Sequence, residues 1–225
     1  MKQVNCEELL DVGRAPLSEV RRSLRDLRRI NALPGGTSLS VAGVVSLVGD
    51  LQRATIVDVG TGSGDVPQGL RRYAQRRGLD WNIVAVDLKS EHLKLAREFL
   101  GKDATPLQAD AFRLPFADGS VDVVTTSLLL HHFRAPQVTA LLREFDRISR
   151  VGWFCNDLVR ARPPLVFFTL LWPIFARSYL TRYDARASIR RAYTVPEMRA
   201  LVQQSGTNAQ VRARPMFRLS IEKHR

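Results

Sequence analysis

The residues able to do chemistry in this 225-residue chain gather at one stretch, Ile56-Val57-Asp58-Val59-Gly60-Thr61-Gly62-Ser63-Gly64-Asp65, and at three later positions: Asp87, Asp110 and the pair His131-His132. A short β-branched run reads as a buried strand, and glycines directly behind it allow a tight turn whose backbone comes close to a ligand. A dinucleotide turn of the Gly-x-Gly-x-x-Gly type would end in a small residue, with the following helix facing a pyrophosphate. Asp65 stands in that place. A carboxylate there suits the helix dipole, repels a pyrophosphate and favours a ligand carrying an ammonium or sulfonium. The same substitution, without a catalytic Tyr/Lys pair, argues against a nicotinamide oxidoreductase.

Two further acids follow at strand ends. Ile83-Val84-Ala85-Val86-Asp87 lies roughly 20 residues past the glycine turn, the distance at which a carboxylate meets ribose hydroxyls in such units. Leu107-Gln108-Ala109-Asp110-Ala111 reads as a third short strand, and Val121 to Ser127 as a fourth, followed by Leu128 to Phe133. In this order Asp58-x-Gly60-x-Gly62-x-Gly64, Asp87, Asp110 and the fourth strand resemble the class I S-adenosylmethionine-dependent methyltransferases over residues 54 to 148. The resemblance implies S-adenosyl-L-methionine as cofactor, with Asp110 accepting from the adenine amino group. It assigns cofactor contacts to Asp58, Gly60, Thr61, Gly62, Gly64, Asp87, Leu88, Asp110, Ala111 and Ser127. It also implies an α/β fold: a Rossmann-like seven-stranded mixed sheet with helices on both faces, N-terminal helices and a helical lid inserted after the fifth strand.

Methyl transfer from a sulfonium is a displacement, so the protein mainly aligns acceptor and methyl carbon and excludes water. No metal is required. A phenolic acceptor with pKa about 10 is protonated at neutral pH and gains from a base. His131 and His132 are the candidates, His132 first, since one of two neighbours must point away. Enzymes that methylate nucleobase or amide nitrogens carry Asn/Asp-Pro-Pro-Tyr/Phe after the fourth strand; this chain has Thr126-Ser127-Leu128-Leu129, which sets a nucleic-acid substrate aside. Leu128 to Phe133 resembles the small-molecule, quinone-biosynthesis-like branch (methyltransferase type 11). Asn156-Asp157-Leu158 and the arginine-rich stretch behind it resemble bacterial members that act beside polyketide pathways. The expected acceptor is a hydroxylated aromatic or lipophilic polyketide- or quinone-like molecule, methylated on oxygen. Carbon methylation of a quinone-type ring and a non-catalytic cofactor-binding partner protein are the alternatives.

The elements needed to position these groups are readable from periodicity. Leu17, Val20, Leu24, Leu27 and Ile30 recur at helical spacing, with Arg21, Arg22, Arg25, Arg28 and Arg29 between them. This predicts an amphipathic helix whose arginines form a solvated basic face over a packed apolar one, or which lies over the cofactor mouth with Arg28 or Arg29 toward the methionyl carboxylate, or which meets anionic lipid. Pro34-Gly35-Gly36 breaks it, and Ser38 to Leu51 reads as a second helix. One methyltransferase domain is expected over 1–225, divided into a helical cap (1–53), a cofactor core (54–157), an acceptor lid (158–192) and a closing helix and strands (193–225). The lid holds the apolar run Leu165 to Phe175, expected to receive a lipophilic acceptor, to dip into a membrane surface, or to be a buried helix.

Composition bounds the rest. Lys+Arg 34 against Asp+Glu 22 gives +12, a field that attracts nucleic acid, anionic membrane surface or acidic substrates, while arginine richness also arises from a biased coding composition. Cys6 and Cys155 have no CxxC partner, so neither zinc nor a disulfide framework is indicated and a reducing, cytoplasmic compartment is expected. The first 11 residues hold acids and no apolar run, against a secretory signal. The longest apolar stretch, Pro164 to Ala176, is shorter than the ~20 residues that span a bilayer.

Overall fold

The computed structural model describes the chain except residues 5, 14, 34, 102, 103 and 171–175. Three helices come first: α1 (Leu9–Val12), α2 (Leu17–Asn31) and α3 (Thr37–Val48). Strands and helices then alternate: β1 (Arg53–Val59), α4 (Asp65–Arg77), β2 (Asp80–Asp87), α5 (Ser90–Leu100), β3 (Thr105–Gln108) and β4 (Val121–Ser127). A 3₁₀ turn at Leu130–His132 leads to α6 (Ala135–Ile148) and β5 (Ser149–Leu158). Next come α7 (Arg162–Leu170), α8 (Tyr179–Arg191), α9 (Val195–Ser205), β6 (Gln210–Arg214) and β7 (Arg218–His224).

The sheet has seven strands in the order β3-β2-β1-β4-β5-β7-β6. β1 to β5 run parallel, whereas β7 is antiparallel to β5 and β6. Because β1 pairs with β2 on one side and β4 on the other, the chain leaves their ends in opposite directions, which opens a crevice at the carboxyl edge of the sheet. Side-chain alternation along each strand fills two cores. Val57, Val84 and Trp153 face α6 and α9, while Ile56, Ile83 and Phe154 face α3 and α4. α3 approaches β5 closely enough that a Cβ on Gly43 would stand 2.4 Å from the Phe154 ring.

Four expectations change in detail. β3 ends at Gln108, two residues before Asp110, because the Asp110 carboxylate accepts from the Phe112 amide (3.0 Å) and turns the chain out of the ladder. α1 is new: it lies within the first residues and is fixed from outside, where Asp184 of α8 accepts from the amides of Leu9 (2.7 Å) and Leu10 (3.1 Å). The apolar run is not a buried helix over its described part, since no residue of α7 is buried. Its remainder, Leu171, Trp172, Pro173, Ile174 and Phe175, lies outside the described residues, as does Pro34. Finally, none of α7 reaches the crevice. Among the described residues, no helix is long and apolar enough to cross a membrane.

Candidate cofactor and acceptor site

A cleft of about 400 Å³ opens at the carboxyl ends of β1, β2 and β4. Its floor is the β1–α4 turn. Gly60 sits at φ 71°, and a Cβ there would stand 2.7 Å from Leu129, so this glycine lets the loop pass under the opposite wall. Gly64 is different. It caps α4 at φ 77°, does not line the cleft, and makes room for Leu100 of α5, 2.8 Å from where its Cβ would be. The other nine positions expected to hold cofactor all line the cleft: Asp58, Gly60, Thr61, Gly62, Asp87, Leu88, Asp110, Ala111 and Ser127.

The carboxylates dominate its electrostatics. Asp87 accepts from the amides of Gly62 (3.0 Å) and Lys89 (2.9 Å) and lies 3.4 Å from His92 Nδ1, so it braces the glycine loop. Burial works to raise its pKa, but His92 and the two amides outweigh that and hold it below the ordinary range. Asp58 moves the other way. Burial, opposed by the nearby Thr61 hydroxyl and reinforced by the charges of Asp65 and Asp87, pushes it up to about 8. A cationic ligand would relieve that repulsion. The buried Ser127 hydroxyl, also on the wall, has no hydrogen-bond partner among the described residues. An acidic floor, a free hydroxyl and a glycine cradle fit a ligand combining positive charge with a polar sugar and base.

Arg28 and Arg29 do not line this cleft. Arg28 stacks on Phe99 at 4.0 Å and donates to Gln68 (2.9 Å), with Asp65 3.9 Å away. Arg29 pairs with Asp26. Their helix contributes Leu24, Leu27 and Asn31 instead, and Asn31 donates to Asp65 (2.9 Å).

The two histidines part company. His131 is buried away from the cleft: its Nδ1 lies 2.6 Å from Asp157, its Nε2 3.6 Å from Glu8, and its amide donates to Asp157 (3.0 Å). Burial alone would lower its pKa, but the Asp157 and Glu8 carboxylates raise it to about 10. Held between these two carboxylates, His131 does not line the cleft, which sets it apart from His132 in the pair expected from the sequence. His132 lines the cleft with Leu128, Leu129, Phe112 and Phe133. Its Nδ1 lies 2.7 Å from Asp11. Leu128 enters this wall at φ 59°, a backbone state that costs a leucine about 1–3 kcal/mol and turns the chain sharply at the end of β4. Glu8, His131 and His132 bring ligand atoms within 4.8 Å of one another, a spacing suited to a metal ion. In this structure they form an ion-pair network with Asp157, Asp11 and Arg191. Asp11, Leu10, Lys89 and His92 also line the cleft, and none was singled out by motif. An acid-bearing N-terminus was the one available sign of Glu8 and Asp11.

The seven-stranded sheet, with the cleft at its carboxyl edge, has the Rossmann-like methyltransferase fold. Residues 57–155 match the family described as "Methyltransferase domain". A demethylmenaquinone methyltransferase of Roseiflexus castenholzii is 31% identical over 131 residues, covering 54% of this chain and 52% of the relative. The chain thus spans about half the length of that relative. Among solved structures, a SAM-dependent methyltransferase from Aquifex aeolicus has TM-score 0.58 at 17% identity, covering 81% of this chain and 87% of its own. Human N-acetylserotonin methyltransferase in complex with SAM has TM-score 0.67 at 16% identity, covering 99% and 60%.

Proposed function

We propose that this protein methylates a hydroxyl oxygen of a small aromatic, polyketide- or quinone-like acceptor. Bound in the cleft, S-adenosyl-L-methionine supplies an electrophilic methyl carbon on a sulfonium. Asp87 would hold the ribose, Asp110 and Ala111 the adenine, and Asp58, Gly60, Gly62 and Asp65 the cationic methionyl end. The observation that carries the acceptor reading is His132. It lines the cleft beside Phe112, Leu128, Leu129 and Phe133, with its Nδ1 2.7 Å from Asp11, which orients the ring, and its Nε2 3.8 Å from Glu8. In this reading His132 takes the acceptor's proton, Asp11 is its positioning residue, and Phe112, Leu129 and Phe133 hold the aromatic ring and keep water out.

The Roseiflexus relative, a demethylmenaquinone methyltransferase, supports a second reading, methylation of a quinone-type ring carbon. Turnover with hydroxylated aromatics, followed by NMR of the product, separates the two: a methoxy signal for oxygen, a ring methyl for carbon. His132→Ala should lower kcat ~10²–10⁴-fold on the oxygen acceptor. Unchanged rates from pH 6 to 9 would remove the base role and leave alignment as the whole of catalysis.

A further inference from the structure

The arginine face of α2 lines a second cavity, separate from the cofactor cleft. Arg22, Arg25 and Arg29 recur at three- and four-residue spacing along one side of the helix, and with Arg177 and Asp26 they enclose about 360 Å³. The charges do not balance. Asp26 is buried, and its carboxylate is committed to the start of α8, accepting from the amides of Arg177 (2.7 Å) and Ser178 (2.9 Å) and pairing with Arg29 (3.2 Å). Glu19 pairs with Arg22 at 2.8 Å. The guanidinium groups of Arg25 and Arg177 make no ion pair or hydrogen bond among the described residues. A concave group of cations with surplus charge suits a phosphate, which guanidinium groups bind in a planar, bidentate way.

The surface beside it is apolar. On α7, Phe168 packs inward against Leu27 and Ile30, which brings the helix alongside the end of α2. Pro163, Val166 and Leu170 occupy the opposite stripe, with Val166 and Leu170 54% and 67% exposed. Tyr179 and Tyr183, one turn apart on α8 just beyond Arg177, are also exposed. Aliphatic side chains for an acyl region, tyrosines for its boundary and arginines for anionic headgroups belong to one kind of partner. A nucleic acid would leave the aliphatic stripe without a role.

We propose that this face docks on an anionic bilayer, with the arginine cavity seating a phospholipid headgroup phosphate and the α7 stripe and α8 tyrosines entering the interface. α2 is shared between the two sites, since Leu24 and Leu27 wall the cofactor cleft while its arginines line the cavity. A docked enzyme therefore holds its cleft next to the membrane, where a lipophilic acceptor is concentrated.

Flotation of the full chain on phosphatidylcholine vesicles, with and without phosphatidylglycerol, tests this. Binding is expected only with phosphatidylglycerol and should fall as salt rises. Each arginine neutralised should weaken partitioning about five-fold, so Arg25→Gln with Arg177→Gln should bind on the order of 25-fold more weakly. Lysine at both positions should keep most of the binding, and Leu170→Ser should weaken it without altering the melting transition. No binding to phosphatidylglycerol vesicles, equal binding to neutral ones, or an unaffected double glutamine variant would each overturn the proposal. Binding of inorganic phosphate without vesicle binding would reassign the cavity to a soluble anion. A dimer in sedimentation that Leu170→Ser dissociates, again without vesicle binding, would reassign the stripe to a second copy.

Discussion

Asp58→Asn offers a quantitative test of the acidic floor. Burial beside Asp65 and Asp87 raises the Asp58 pKa from 3.8 to about 8. The sign of the linkage follows. Between these values the unfolded chain carries Asp58 ionised while the folded protein without cofactor carries it protonated, so its contribution to stability is fully present below pH ~4 and is lost as pH rises toward 8. Roughly four pKa units at 1.36 kcal/mol each set a loss of at most ~5 kcal/mol across that range. Asparagine has the shape of the protonated acid without this titration. Urea denaturation of the cofactor-free protein should show wild-type stability falling by several kcal/mol more than that of Asp58→Asn between pH 5 and pH 8. A cationic ligand should reverse the shift. At pH 7 an acid with pKa about 8 is about nine-tenths protonated, so cofactor binding should release about one proton from this site, measurable by calorimetry in buffers of different ionisation enthalpy. Asp58→Asn should bind more weakly and release correspondingly less. If wild type and variant release the same number of protons and bind equally well, the floor is not an electrostatic receptor for a cation.

Asp157→Asn should destabilise the fold by ~3–5 kcal/mol, because it leaves the buried His131 imidazolium without its nearest counter-charge; chemical denaturation checks this. The same network predicts a pH window. Asp157 and Glu8 are held below their ordinary values, so their stabilisation is lost as pH falls below about 4, whereas that of His131, raised to about 10, is lost as pH climbs from about 6.5 to 10. His131→Gln should flatten the alkaline limb. Gly43→Ala should cost ~1–3 kcal/mol in thermal or urea unfolding, since its Cβ would press into the Phe154 ring between α3 and β5. Asp87→Ala should weaken cofactor binding at least ~10-fold, through lost charge-assisted hydrogen bonds and a loosened Gly62 amide; calorimetry with unchanged affinity would exclude the ribose role.

Local patterns carried most of the fold. β-branched runs ending in Asp58 and Asp87, the alternating glycines, and the helical spacing of Leu17 to Ile30 each depend on neighbours in sequence, so period and turn chemistry placed β1, β2, α2 and the cofactor loop. The limits of β3 were less legible because Asp110 binds its own turn, a local competition that a run of apolar residues does not display. What tertiary structure alone decided was which charges meet. Glu8 and Asp11 stand more than 120 residues from the histidines they contact, brought there by Asp184 of α8. Nothing in the His131-His132 dipeptide says which ring Asp157 will bury as an imidazolium and which the cleft will receive. The pKa of Asp58 is likewise a property of its burial beside Asp65 and Asp87, and α7, apolar enough for a core, has no buried residue. Spacing along the chain determines secondary structure; ionisation and exposure depend on distances between side chains that only the folded chain brings together.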